Sequence, residues 1–212
     1  MIAVIDYGMG NLRSVQKALE YVGARAKITD KPREIVKAER IVFPGVGSFG
    51  AAMKELKARR LDTAIKEAIA AGTPFLGLCL GLQLLFEKSE EAPGVKGLGV
   101  LEGSVRRFAF TQYAIRNTQY GLKVPHMGWN SIKHSIPNTR YSILNNVPDN
   151  AYMYFVHSYY AVPKDKTTVI TTTDYGIEFA SGIAKDNIVA FQFHPEKSQA
   201  LGLGILKNFV KG

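Results

Sequence analysis

One cysteine stands in a setting that suits a nucleophile. Cys79 is the only cysteine of the 212 residues and lies in the stretch GLCLG, between Gly77 and Gly81. The apolar stretch PFLGL predicts a buried strand, and LGLQLLFEKS predicts a helix. A residue at that junction projects from a tight turn at the N-terminus of a helix, where partial positive charge and free N–H groups favour a thiolate. The setting favours catalysis over the alternative, a buried thiol that acts as a small hydrophobe.

A nucleophilic thiol needs a base, and the base needs a group that orients it. His194 ends the apolar stretch FQF, and Glu196 follows two residues later, across Pro195. Residues two apart in an extended chain face the same side, so the imidazole and the carboxylate can point together. A carboxylate on one ring nitrogen fixes the tautomer and leaves the other nitrogen for the thiol. The sequence therefore predicts a triad of Cys79, His194 and Glu196.

The remaining histidines have less definite settings. His134 lies in the polar stretch IKHSIPN and is expected at the surface. His126 and His157 lie in the denser stretches VPHMGWN and FVHSYY, and either could line a pocket or serve packing alone.

Strands and helices are expected to alternate in the first half of the chain. IAVIDYG, RIVFPGVG and PFLGL predict strands, and NLRSVQKALEYVG, SFGAAMKELKARR and LDTAIKEAIAAG predict helices. This order predicts a parallel sheet with helices on both faces. Such sheets gather their chemistry at the carboxyl ends of the strands, where Cys79 is expected.

The second half is richer in β-branched and aromatic residues. GVLEGSVRRFAF, AYMYFVHSYYAV and TTVITTTDYG predict strands, KDN predicts a hairpin turn between FASGIA and IVAFQF, and SQALGLGILKNFVKG predicts a closing helix. Trp129 is expected in a Gly-Trp-Asn loop, and the polar segment Phe110–Val124 has no assigned role. We expect one α/β domain over residues 1–212, with an open mixed, mostly parallel sheet flanked by helices.

Composition limits the other classes of protein. The formal net charge is +9, but the lysines and arginines are spread along predicted helices, which disfavours a nucleic-acid partner. The apolar runs fall short of the ~20 residues that cross a bilayer, and MIAVIDYGMG is typical of a first strand and not of a signal peptide. A lone cysteine excludes an intrachain disulfide, disfavours a thiol-based metal site and favours a cytoplasmic location.

The motifs together resemble a known family. GLCLGLQLLFE and FQFHPEKS are similar to the Gly-x-Cys-x-Gly-x-Gln and His-Pro-Glu signatures of the class I, triad-type glutamine amidotransferases. Within that family, IAVIDYGMGNLRSV, VFPGVGSFGAAM, KVPHMGWN and YFVHSYYA resemble the glutaminase subunits of imidazole glycerol phosphate synthase, nearly end to end. The resemblance implies a flavodoxin-like fold in which Cys79 attacks the amide carbon of glutamine, His194 transfers protons and Glu196 holds His194.

The resemblance also implies an oxyanion hole and a substrate site. One oxyanion donor is the N–H of Leu80, and the other is expected from the loop Pro44–Gly47, with Val46 or Gly47 as candidates. A phosphate-binding loop is the competing interpretation of GVGSFG, but the lysine of such loops is missing. The residues expected to hold the amino-acid end of glutamine are Gln83, His157, Ser158 and Tyr159.

A partner is implied because the domain leaves no room for an ammonia acceptor. In the family the ammonia passes to a (β/α)8-barrel cyclase subunit, which makes imidazole glycerol phosphate and an aminoimidazole carboxamide ribonucleotide in histidine biosynthesis. A heterodimer and no metal or organic cofactor are expected. The residues expected at the interface are Asn11, Arg13, Trp129, Asn130, Tyr154 and Lys197.

Three alternatives were open at this point. A glutaminase of another ammonia-using synthase shares the chemistry, but DYGMGNLRSV and KVPHMGWN argue against it. A cysteine peptidase or chaperone of the related flavodoxin-like superfamily has a histidine directly after its nucleophile, where this chain has Leu80. A non-catalytic binding module has no need of Cys79, His194 and Glu196 together.

Overall fold

The fold is described from a computed structural model, in residues 1–109, 122–135 and 142–212. The helices of these residues are α1 (Leu12–Tyr21), α2 (Pro32–Val36), α3 (Phe49–Ala58), α4 (Leu61–Ala70), α5 (Leu80–Leu84) and α6 (Gln199–Lys211). The strands are β1 (Ile2–Ile5), β2 (Ala26–Thr29), β3 (Arg40–Gly45), β4 (Phe75–Cys79), β5 (Phe86–Ser89), β6 (Leu101–Arg107), β7 (His126–His134), β8 (Ala151–His157), β9 (Tyr159–Pro163), β10 (Val169–Asp174), β11 (Glu178–Lys185) and β12 (Ile188–Phe191).

The strands form one open mixed sheet. Its parallel part runs in the order β2-β1-β3-β4-β12, and β11, β10, β7 and β8 extend it with antiparallel pairing. The strands β5, β6 and β9 branch from it, because β9 pairs with β11. The predicted open mixed sheet is confirmed, and Cys79 stands at the carboxyl end of a central parallel strand.

Helices cover both faces of this sheet, as predicted. One core contains residues of α3, α4 and α5 packed on the strands, with Phe43 and Phe75 fully buried. The other contains residues of α1 and α6, where Val15 and Leu19 recur at helical spacing on the buried side. No described helix has the length and apolar character needed to span a membrane.

Three local predictions were wrong. The helix predicted from LGLQLLFEKS ends at Leu84, and Phe86–Ser89 is the strand β5, because parallel pairing with β6 overrides the local helical spacing. Trp129 lies in the strand β7 and not in a loop, since β7 pairs with β8. His134, at the end of β7, is half-buried and not a surface residue. The segment Phe110–Val124 lies mostly outside the described residues, which resume at 122.

Candidate active site

The nucleophile candidate sits at the seam of a strand and a helix. Cys79 is the last residue of β4, and Leu80 opens α5. The backbone of Cys79 has φ 53° and ψ −108°, a conformation that non-glycine residues rarely adopt. Such a strained turn tips the side chain out of the sheet while the following N–H groups point the same way. Cys79 therefore projects from a tight turn, as predicted, and the surrounding residues leave it only 6% exposed.

A glycine two residues after the cysteine lets α5 lie directly on the sheet. A Cβ at Gly81 would stand 1.8 Å from the carbonyl oxygen of Phe43 on β3. That separation is far below any van der Waals contact, so only glycine fits where the helix crosses the strand. The close crossing holds the N-terminus of α5 against the carboxyl ends of β3 and β4, where the site lies.

We expect Gly81→Ala to destabilise the protein by about 3 kcal/mol, because backbone would have to move to admit the methyl group. For a chain of this size that corresponds to a fall in Tm of roughly 6–12 °C, measured by thermal unfolding. The matched control is Gly204→Ala in α6, where a Cβ meets nothing within 4 Å. Alanine there is expected to be neutral or to stabilise slightly. Equal melting temperatures for the two variants would contradict the steric account of the turn.

His194 and Glu196 form the expected buried pair. The Nδ1–H of His194 donates to Oε1 of Glu196 at 2.8 Å, and their side chains are 5% and 3% exposed. The two residues are brought together by the 3-10 turn Pro195–Lys197 and not by an extended chain. The two side chains pair as predicted, but the predicted extended backbone between them is wrong. The His194 N–H donates to the Tyr154 carbonyl oxygen at 2.9 Å and fixes the turn to β8.

The environment of His194 favours the imidazolium. Burial lowers the pKa of His194, but the negative charge of an ionised Cys79 sulfur and the Glu196 carboxylate next to the ring raise it, to about 10 in sum. With Nδ1 committed to Glu196, Nε2 has no conventional hydrogen-bond partner among the described residues and is the nitrogen directed to the sulfur. The arrangement can hold a proton between base and nucleophile, as acyl transfer requires.

A cavity of about 270 Å³ opens in front of the sulfur. Its lining residues are Val46, Gly47, Cys79, Leu80, Gln83, Glu91, Pro125, Val156, His157, Ser158, Tyr159 and His194. The cavity thus brings together the candidate nucleophile, the candidate base, the glycine loop and all four residues expected to bind substrate. Val46 is exposed and Gly47 has φ +96°, so the loop presents its backbone to the cavity in a form that suits glycine.

Glu91 lines the same cavity and was missed by the sequence analysis. One of its carboxylate oxygens accepts the Phe49 N–H at 2.8 Å, at the start of α3. The residue follows β5 in the polar run EKSEE, of which the predicted helix LGLQLLFEKS includes only EKS. A strand there would have pointed to a loop at the sheet edge, where polar residues reach the site.

A buried chain of hydrogen bonds supports the wall of the cavity. Burial lowers the pKa of His126 to about 4, and burial also lowers that of His157 to about 3, so both rings are neutral. The His157 Nδ1–H donates to the Tyr159 carbonyl oxygen at 2.8 Å, so its Nε2 accepts from the His126 Nδ1–H at 3.0 Å. The Asn130 side chain then donates to His126 Nε2 at 3.3 Å. Both histidines serve the support of the site and not proton transfer.

Gln83 is held by the same network. Its Nε2 donates to the Tyr159 carbonyl oxygen at 2.9 Å and to Oε1 of Gln192 at 3.0 Å. Both amide protons are thereby used, which leaves Oε1 as the acceptor that Gln83 can offer to a ligand in the cavity.

The residues expected at a partner interface lie in two places. Asn11 and Arg13 are exposed at the start of α1. On the strands, Trp129 stands opposite Tyr154 in register, with ring centroids 6.0 Å apart, and Lys197 Nζ lies 5.6 Å from the Tyr154 ring centroid.

Alternation along β7 separates two of these residues. Trp129 is 46% exposed, so its side chain is not packed in the core. Asn130 points to the opposite side of the sheet, where it donates to the Asp174 carbonyl oxygen at 2.8 Å. Met127 and Tyr152 share the side of Trp129 and are 66% and 62% exposed. We call the exposed side chains of Met127, Trp129 and Tyr152, together with the half-buried Tyr154, the β7–β8 face.

Two further features carry no chemistry of this kind. A larger cavity of about 1290 Å³ lies between residues 30–37 and 57–67, and it is lined by no cysteine or histidine. Among the described residues, no group of three or more His, Cys, Asp or Glu side chains is placed to hold a metal ion.

Solved structures share this fold. One glutamine amidotransferase superposes with a TM-score of 0.71 at 17% identity, covering 96% of this chain and 95% of its own. PurLQS from Thermotoga maritima superposes with a TM-score of 0.70 at 18% identity, covering 99% and 95%. The family model of class-I glutamine amidotransferases matches residues 3–212. The chain therefore belongs to the class-I glutamine amidotransferase family.

Relatives in sequence narrow the class further. The imidazole glycerol phosphate synthase subunit HisH of Geobacter metallireducens is 51% identical over 209 residues, which is 99% of this chain and 97% of the relative. The HisH subunit of Salinibacter ruber is 49% identical over 210 residues, 99% and 94% of the two chains. Within its family the chain therefore groups with the HisH subunits, as the motif resemblance predicted, and not with glutaminases of other synthases.

Proposed function

We propose that Cys79, His194 and Glu196 hydrolyse glutamine to glutamate and ammonia through a thioester. The Cys79 thiolate attacks the side-chain amide carbon, and the carbonyl oxygen takes the negative charge. The His194 imidazolium protonates the leaving nitrogen, and ammonia departs as the thioester forms. Neutral His194 then removes a proton from water, which attacks the thioester and releases glutamate with the thiolate restored. The 2.8 Å bond to Glu196 keeps Nε2 available for each of these transfers.

Both tetrahedral intermediates need donors for their oxyanion. The N–H of Leu80 is the first donor, because Leu80 follows the nucleophile at the N-terminus of α5. The second comes from the backbone of Val46 or Gly47, which line the same cavity and follow Gly45, the residue paired with Cys79. A loop that is exposed at Val46 and glycine-rich can reorient its peptides when substrate or a partner arrives.

The amino-acid end of glutamine is held on the far side of the cavity. The free Oε1 of Gln83 and the carboxylate of Glu91 suit the α-ammonium group, and backbone N–H groups of residues 157–159 suit the α-carboxylate. His157 itself contributes a neutral ring that orients Tyr159. Specificity for glutamine then follows from charges at one end and the triad at the other.

The ammonia is delivered to a partner, a (β/α)8-barrel cyclase subunit, in a heterodimer. The HisH relatives are named as subunits of imidazole glycerol phosphate synthase, which supports a second chain that carries the cyclase. We assign its docking to the β7–β8 face, with Lys197 and the start of α1, because exposed aromatic and methionine side chains are typical of interface centres. In this assignment residues 1–212 act as one amidotransferase domain and contribute ammonia to histidine biosynthesis. The free thiol of Cys79 favours a cytoplasmic location.

The single observation that carries the proposal is the free Nε2 of a Glu196-bound His194 directed to the buried Cys79. We expect the purified chain to release glutamate slowly alone and faster with a cyclase barrel subunit and its nucleotide. A coupled glutamate assay measures both rates. Full activity without the barrel would support the triad but contradict activation by the partner. No activity in either mixture would reject the proposed function.

A further inference from the structure

One buried amide touches the sulfur of the nucleophile. Gln192 follows β12, has 0% exposure, and its N–H donates to the Ser181 carbonyl oxygen at 2.9 Å. Its side chain lies between two residues of the site, with Oε1 at 3.0 Å from Gln83 Nε2 and Nε2 at 3.7 Å from Cys79 Sγ. A fully buried amide is placed where both of its ends meet groups that the proposed function uses.

The orientation of this amide follows from its neighbours. The Tyr159 carbonyl oxygen can only accept, so the Gln83 amide presents its nitrogen there. The second proton on that nitrogen needs another acceptor, which is the oxygen of Gln192. The NH2 group of Gln192 is then forced towards the Cys79 sulfur, and the reverse orientation would set two NH2 groups against each other.

The Cys79 sulfur has a second, weak hydrogen-bond partner in the Val156 carbonyl oxygen. The Cys79 S–H can donate to the Val156 carbonyl oxygen at 3.8 Å, which suits a protonated sulfur only. A thiolate repels that carbonyl oxygen and attracts the N–H of Gln192, because hydrogen bonds to charged groups are the stronger ones. The two contacts therefore act in opposite directions on the ionisation of Cys79.

We propose that Gln192 is a catalytic residue whose side-chain N–H donates to the Cys79 sulfur and stabilises the thiolate. This inference rests on the proposed nucleophilic role of Cys79. Unlike His194, the amide never titrates, so its N–H remains on the sulfur while His194 carries the proton to ammonia. Its carbonyl end holds Gln83 in place at the same time, which ties the nucleophile to the substrate-binding wall.

Four titratable groups lie near the sulfur or line the cavity in front of it, and their charges also affect its ionisation. Tyr7, beyond the end of β1, is a buried phenol whose pKa is raised by burial and by Cys79. His194 faces the sulfur from the turn after β12. His157 and Glu91 line the cavity from the end of β8 and the loop after β5. Gln192 differs from all four because its donor is present at every pH.

The test uses the alkylation of Cys79 by iodoacetamide, followed by mass spectrometry between pH 5 and 10. Cys79 is the only cysteine, so the whole signal reports this thiol. In Gln192→Met, which removes the donor and nearly keeps the volume, we expect the pH midpoint of alkylation to rise by about one unit and the rate at pH values well below the wild-type midpoint to fall about tenfold. Gln192→Asn withdraws the donor by one methylene and is expected to shift the midpoint in the same direction.

Ser181→Ala is the matched control. The Ser181 side chain is buried on the neighbouring strand β11 and bonds to Thr171 at 3.0 Å, so its loss perturbs the sheet without touching the sulfur. We expect its alkylation profile to match the wild type. Unchanged midpoints in both Gln192 variants would overturn the inference, and so would an equal shift in Ser181→Ala.

The proposed function is judged separately by glutamate release from the wild type. If the Gln192 variants shift the midpoint of alkylation but the wild type releases no glutamate, the Gln192 contact stands and the glutaminase chemistry is rejected. If the wild type releases glutamate but the Gln192 variants leave the midpoint unchanged, the glutaminase chemistry stands and the Gln192 contact is rejected. Thermal unfolding shows which variants are folded, and the Asn variant carries the test if the Met variant is not.

Discussion

Cys79→Ala is expected to lose glutamine hydrolysis by about 10⁴-fold or more, because no other group can form the thioester. Cys79 is the only cysteine of the chain, so no second thiol can substitute. The remaining residues can still bind glutamine and polarise its amide, but neither action forms a covalent intermediate. Glutamate release with the barrel subunit present is the measurement, since activity is expected to be highest there.

The same variant is expected to remain folded and to keep its partner. Apart from its contact with the His194 ring, the sulfur makes two weak contacts, to Val156 at 3.8 Å and to Gln192 at 3.7 Å, so its removal takes little packing from the core. Alanine has a Cβ like cysteine, so the strained turn with φ 53° is no worse than before. A normal melting temperature and normal association with the barrel therefore serve as the control. Glutaminase activity retained in this folded variant would reject Cys79 as the nucleophile.

The sequence predicted the triad because its signals are local. One signal is a lone cysteine between glycines at a strand end, and the other is a histidine two residues before a glutamate. Each of them indicates a geometry that depends on only a few neighbouring residues. The structure brings these two segments together because β4 and β12 are parallel neighbours in the sheet. Strand order depends on contacts between residues far apart in the chain. The sequence motifs therefore indicated that the two segments meet, and the order of strands in the sheet shows how they meet.

The features that were missed depend on contacts far apart in the chain. β5 is a strand only through its pairing with β6, and Trp129 is in a strand only through pairing with β8. Local spacing in LGLQLLFEKS and the glycine of GWN favoured other states. Glu91 and Gln192 carried no signal of their own, because their roles come from neighbours at the cavity and not from the adjacent residues.

The second large effect concerns the partner of the base. We expect His194→Ala to be nearly as damaging as loss of the nucleophile, and Glu196→Gln to be about 10- to 100-fold less damaging, because a base is essential and its orienter is supportive. Glutamine at position 196 can still hydrogen-bond Nδ1, but it brings no charge to the buried ring. Equal rates for the two variants would contradict these roles.

The charge gives Glu196→Gln a signature in pH that a merely structural change lacks. Burial lowers the pKa of His194, while Cys79 and Glu196 raise it to about 10, above the ordinary value of 6.5. A group whose pKa is raised by folding contributes stability that is complete below pH 6.5 and is lost as the pH rises through about 10. The imidazolium that protonates the leaving ammonia is lost over the same upper range, so the alkaline loss of activity in the wild type is expected at strongly alkaline pH.

Removing the Glu196 charge takes away one of the two contributions that raise this pKa and leaves burial to lower it. The alkaline limb of kcat/KM in Glu196→Gln is therefore expected at lower pH than in the wild type, and the alkaline loss of Tm is expected to move with it. Glu178→Gln, an exposed change on β11 away from the ring, is the matched control and is expected to leave both limbs in place. An unmoved limb in Glu196→Gln would mean that the carboxylate positions His194 without tuning its charge, and the proton held for ammonia would then depend on Cys79 alone.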